Sequence, residues 1–94
     1  MQSEKRILTL RLKAEYWRAI QAGVKTIEYR NDTPYWRARL VGKEFDEIHL
    51  IHGYPPKDQA AEHTLIRPWK GFTRQLVPEA PFEPSIRKFC IPVN

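Results

Sequence analysis

ILTLRLKAEYWRAIQAGVKTIEYR, residues 7–30, decides the fold. Its opening residues alternate, so Leu8, Leu10 and Leu12 share one face of a strand while Thr9 and Arg11 share the other. At Ala14 the period changes. Tyr16, Trp17, Ile20 and Val24 recur at helical spacing, the helix runs to Ala22, and Gly23 stands where a left-handed cap closes it. A second strand, Thr26 to Arg30, follows with Ile27 and Tyr29 on one side and Thr26, Glu28 and Arg30 on the other.

Outward from that unit, Asn31-Asp32-Thr33-Pro34 supplies a capping side chain and a proline for the first helical position, predicting one or two turns over Pro34 to Leu40. Gly42 then releases the chain. Glu47 to Ile51 reads as a third strand, stopped by Gly53-Tyr54-Pro55-Pro56, with an exposed loop beyond it. Thr64 to Val77 reads as two short strands around a bend at Pro68 and Gly71. Pro78, Pro81 and Pro84 suggest a stiff surface connection, and Arg87 to Val93 forms the last strand with Phe89, Ile91 and Val93 inward. The expected architecture is α+β: a small mixed β-barrel with one or two short helices, residues 1–94 forming a single domain. Periodicity does not choose its topology.

Composition agrees with a folded globular chain, 41% hydrophobic and 29% charged. Sixteen Lys and Arg against 11 Asp and Glu leave a formal charge of +5, a field that attracts polyanions. One cysteine, Cys90, rules out an intramolecular disulfide, and its place in Phe89-Cys90-Ile91 marks a buried, inert thiol. With no signal peptide and no long apolar run, the expectation is a soluble cytoplasmic protein with no membrane partner. His49, His52 and His63 do not compose a metal site, because His49 and His52 point to opposite faces of a strand and no second cysteine or paired carboxylate completes a set.

Gly23-Val24-Lys25-Thr26-Ile27-Glu28-Tyr29-Arg30 carries the densest chemistry. Glu28 and Arg30 leave one strand face about 7 Å apart, so the arginine can pair with Glu28 or with a ligand anion beside it. The carboxylate can accept hydrogen bonds from a base edge. The plain alternative is a strand-surface ion pair.

Standing after a strand and a short helix, this run resembles the Gly-x-Lys-x-x-Glu-x-Arg signature of the ASCH (activating-signal-cointegrator homology) family in the PUA-like superfamily. The resemblance covers the element order from Ile7 to about Gly53 and the terminal strand. It implies a PUA-like barrel whose cleft beside the first helix turns Lys25, Glu28 and Arg30 toward a nucleotide or RNA. Relatives are RNA-binding modules, ribonucleases, or hydrolases of N(4)-acetylcytidine that use a lysine, a threonine and a distant glutamate. Carried over, that lysine is Lys25, but the threonine's position is Glu28; Thr26 is two positions away, and the distant glutamate has no assigned counterpart here.

Two further stretches, Tyr35-Trp36-Arg37-Ala38-Arg39 and Arg67-Pro68-Trp69-Lys70-Gly71-Phe72-Thr73-Arg74, interleave rings with cations, as single-stranded nucleic acid requires. Trp69 is the member expected at the surface; the alternative is that Trp36 and Phe72 simply cover the core. The leading expectation is thus a binding module for single-stranded or modified RNA, or for a nucleotide or nucleoside, using Lys25, Thr26, Glu28, Arg30, Tyr35 and Trp69. The alternatives are an enzyme in which Lys25 and Glu28 exchange protons, and an adaptor or inhibitor presenting Trp and Arg to a protein partner. No cofactor or metal is expected, except a divalent cation recruited by Glu28 in the nuclease case.

Overall fold

In the computed structural model, which describes residues 4–78 and 84–94, the alternating leucines turn inward and the opening strand β1 (Ile7–Leu12) is buried on that face. Helix α1 (Ala14–Gln21) follows. It buries Trp17 and Ile20 and ends at Gly23, whose φ of 80° is costly for any residue with a Cβ. Val24 does not continue the helical stripe: it lies beyond the cap and is 81% exposed.

Strand β2 (Ile27–Asn31) leads to helix α2 (Pro34–Leu40), where the Thr33 side chain accepts a hydrogen bond from the Trp36 N–H and Pro34 takes the first turn. Strand β3 (Glu47–His52) pairs in parallel with β1, so the intervening α1, β2 and α2 form the crossover. The segment after Pro56 contains two single 3-10 turns, Lys57–Gln59 and Ala61–His63, where only a loop was expected. The bend at Pro68 and Gly71 separates β4 (Thr64–Pro68) from β5 (Thr73–Pro78), as its composition implies. The expected stiff connection through Pro81 lies in 79–83, outside the described residues. The last strand, β6 (Ser85–Pro92), buries Phe89 and Ile91, with Val93 just beyond it.

The result is a small compact α+β structure of two three-stranded sheets, ordered β1-β3-β4 and β2-β6-β5. Among the described residues the strands do not close into a barrel, which corrects the barrel expectation. The same in-out alternation serves two stacked sheets and a closed barrel equally, and only long-range pairing separates them. Between the sheets lie Leu8, Leu10, Leu12, Ile48 and Leu50 from one side and Phe89 and Ile91 from the other, sealed by Trp17, Ile20 and Leu40. Trp17 also donates its indole N–H to the Leu50 carbonyl at 2.9 Å, fixing α1 against β3. No described helix is long and apolar enough to cross a membrane.

Asp32 fastens the second sheet to α2. Its Oδ1 accepts from Arg37 Nε at 2.6 Å, and its Oδ2 accepts from Arg74 Nη2 at 2.7 Å and Nε at 3.0 Å. The hydrogen bond from Arg37, joined by those from Arg74, holds this carboxyl below the ordinary aspartate range. A carboxyl depressed on folding contributes stability that is present above its unfolded pKa of about 3.9 and is lost as pH falls through its folded value. Asp32→Asn is therefore expected to lower the thermal midpoint at pH 7. The difference from the unsubstituted chain should shrink steadily below about pH 4, as pH falls through the folded pKa and Asp32 becomes neutral too. An offset that stays constant down to pH 2 would show that the charge of Asp32 is not what matters.

Candidate functional site

Register decides which face of β2 looks inward. Glu28 lies opposite Ile91 and Arg30 opposite Phe89, and in an antiparallel pair opposed residues share a face. Since Phe89 and Ile91 are core residues, Glu28 and Arg30 point toward the core as well, at its rim. Tyr29, on the other face, is 40% exposed. The polar side of β2 is thus its inward side, and Glu28 is a buried acid, 5% exposed.

Its surroundings satisfy that acid only in part. Oε1 accepts the Tyr29 N–H at 3.0 Å and lies 3.7 Å from Lys25 Nζ. Oε2 is 3.5 Å from Arg30 Nη1 yet has no hydrogen-bond partner among the described residues. Arg30 is itself held: Nη2 donates to the Arg11 carbonyl at 3.1 Å and Nη1 to the Tyr29 carbonyl at 3.3 Å. β1 and β2 are edge strands of different sheets, so Arg30 bridges the opening between them. Lys25 is placed by the terminal residue, because Asn94 Nδ2 donates to the carbonyls of Ile20 and Lys25, both at 2.8 Å. The Lys25 ammonium sits between the rings of Tyr16 and Tyr29, at 5.5 and 5.2 Å.

These side chains line a cavity of about 450 Å³, whose wall also includes Arg11, Lys13 and Lys88. A second cavity, of about 700 Å³, shares Arg11 and Arg30 with the first and adds Tyr35, Trp36, Arg39 and Tyr54. Glu28 is the one acid lining either cavity, against six Lys and Arg. Each guanidinium of the second cavity lies on a ring: Arg11 on Tyr54 at 4.4 Å, Arg30 on Trp36 at 5.4 Å, and Arg39 on Tyr35 at 5.3 Å. The cleft can therefore hold an anion against several cations, offer aromatic faces beside them, and present one carboxylate oxygen as an acceptor.

Of the residues singled out from sequence, Lys25, Glu28, Arg30 and Tyr35 meet in this cleft. Thr26 does not: it is exposed outside both cavities, its carbonyl accepting the Val93 N–H at 2.9 Å. Trp69 is also elsewhere and is not a surface platform. It is half-buried with Phe45 at 5.1 Å and Phe72 at 6.4 Å, its shape spent on covering the core. Trp36 and Arg39, from the Tyr35-Trp36-Arg37-Ala38-Arg39 stretch, also line the cleft, whereas Arg11, Tyr16 and Tyr54 escaped the sequence reading. Arg11 had a signal, a cation on the solvent side of a leucine strand, but Tyr54 reaches the cleft only because β3 pairs with β1.

His49 pairs with Glu47 at 3.2 Å and His52 with His63 at 3.4 Å, on opposite faces of β3, and no described cluster of His, Cys, Asp and Glu could hold a metal ion. Glu47 lies below the ordinary glutamate range through its hydrogen bonds from His49 and Lys5. Compared with family models, with curated proteins and with solved structures, the chain gives no significant match. What fold and site define together is an α+β chain with a basic, aromatic cleft opening between the edges of two sheets.

Proposed function

We propose that this chain binds nucleotides or single-stranded nucleic acid, RNA foremost, in the cleft between β1 and β2, as an ASCH-like module with a PUA-like relation between sheets and first helix. The observation that carries the reading is the buried Glu28 carboxylate whose Oε2 lacks a hydrogen-bond partner beneath a wall of cations and rings. A buried acceptor left unpaired costs stability, and such violations concentrate at functional sites. A base edge bearing N–H groups supplies the missing donor, while Lys25 and Arg30 meet phosphate or sugar. The +5 charge of the chain supports the same partner class.

The test is fluorescence anisotropy of an end-labelled, mixed-sequence single-stranded RNA across a salt titration. Affinity is expected to fall with salt, and Lys25→Ala is expected to reduce the slope of log K on log salt by about 0.7, the loss of one phosphate contact. Anisotropy that never rises, even at low salt and high protein concentration, would overturn the reading.

One observation favours a second reading. The 3.7 Å approach of Lys25 Nζ to Glu28 Oε1 puts a base and an acid side by side in a cavity, which suits proton exchange in a ribonuclease or nucleoside hydrolase. The amidohydrolase variant of this idea has weak support, because Glu28 stands at the threonine's position and Thr26 lies outside the cavity. Under this reading anisotropy falls below the free-RNA value over time, or N(4)-acetylcytidine is consumed, and both Lys25→Ala and Glu28→Gln abolish the change. A signal that survives both substitutions would place the chemistry elsewhere.

A further inference from the structure

Two adjoining cavities are more than one nucleotide needs. The first has the acceptor, Glu28, beside Lys25, whose ammonium lies between the rings of Tyr16 and Tyr29. The second has no acid among its lining residues and carries three arginines, Arg11, Arg30 and Arg39, together with Tyr35, Trp36 and Tyr54. Their volumes, about 450 and 700 Å³, each fall in the range of a small-ligand site, roughly 300–1,000 Å³. The two meet at Arg11 and Arg30, which line both.

From this we infer that the cleft takes an oligonucleotide of at least two consecutive residues: one base enters the Glu28 cavity, the linking phosphate sits at Arg11 and Arg30, and the neighbouring base stacks in the second cavity. The inference rests on the nucleic-acid reading above and adds the length and path of the ligand. Arginines alone would suffice if the second cavity held only the phosphate of a mononucleotide. The three rings are what call for a second base, since bases stack on aromatic faces and on guanidinium planes alike. Tyr54 and Tyr35 remain 84% and 60% exposed, so the arginines on them leave ring surface open to a ligand. The path is also partly built beforehand. Arg11 Nη1 donates to the Gly53 carbonyl at 2.9 Å and Arg30 Nη2 to the Arg11 carbonyl at 3.1 Å, which fixes both guanidinium groups at the junction.

The test compares nucleoside 5′-monophosphates with mixed-sequence RNA of two, four and eight nucleotides as competitors for a labelled octamer, at one low salt concentration. Affinity is expected to rise steeply from one nucleotide to two. The ratio of octamer to mononucleotide affinity is expected to fall roughly tenfold in Tyr54→Ala and in Arg39→Ala, the loss of one stacking or ionic contact. Both are exposed residues, so a folded protein is retained, which circular dichroism verifies. Equal affinity for all lengths, or a ratio unmoved by both substitutions, would overturn the two-nucleotide path while leaving a single-nucleotide site in place. Absence of binding by any of these probes would instead remove the nucleic-acid reading, and the path with it.

Discussion

Arg30→Ala is expected to weaken the proposed RNA binding and to destabilise the fold by about 2 to 3 kcal/mol. Its guanidinium lies 3.5 Å from Glu28 Oε2, which has no hydrogen-bond partner among the described residues, and donates across the sheet opening to the Arg11 carbonyl at 3.1 Å. Removal leaves a carboxylate, 7% exposed at its side chain, with Lys25 as its sole charged partner among the described residues. Two companion variants separate the roles. Arg30→Lys keeps the charge but loses the planar fork, so it should restore part of the salt-dependent affinity and little of the sheet bridge. Glu28→Gln in the Arg30→Ala background should recover stability, since it removes the uncompensated charge, without recovering affinity. Denaturant midpoints and anisotropy on the same preparations read both effects. A normal midpoint for Arg30→Ala would mean that the Glu28 pair is immaterial to folding.

Phe89→Ala has the largest effect expected on the fold alone, about 3 to 5 kcal/mol. Phe89 is fully buried, packs edge-on against Phe72 at 5.1 Å, and sits in register between Arg30 on β2 and Arg74 on β5. Arg74 also places its guanidinium 5.1 Å from the ring. Truncation opens a cavity where the two sheets meet and removes the ring on which the Arg74 guanidinium rests. For a chain this short each kcal/mol moves the thermal midpoint by about 4–8 °C, so the variant should lose well over about 10 °C. Phe89→Leu, which keeps most of the volume, should cost less than about 1.5 kcal/mol. Thermal unfolding of both variants checks the pair, and equal midpoints would show that the ring's shape is not what fills this space.

Much of this molecule was legible in short windows. The leucines of β1, the cap at Gly23, the Thr33-Pro34 start of α2 and the break at Pro68 and Gly71 each depend on residues a few positions apart, where sterics and hydrogen bonding are local. Lys25, Glu28 and Arg30 were visible for the same reason, being close together in sequence. Trp69 was misread because a tryptophan between Pro68 and Lys70 looks alike whether it lies on a core or on solvent. Its contact with Phe45, far away in sequence, decides the matter.

The amino-acid sequence by itself determined the order of elements, the apolar sides of β1 and β6, and the grouping of a glutamate and an arginine on one strand side just after a lysine, since period and capping act over single turns. Tertiary structure alone decided that this polar side faces inward, because burial of Glu28 follows from its register with Ile91. It also decided that Arg11, Arg39 and Tyr54 join the cleft, and that the strands form two open sheets. These outcomes depend on pairing between segments tens of residues apart, and local periodicity is the same for every such pairing.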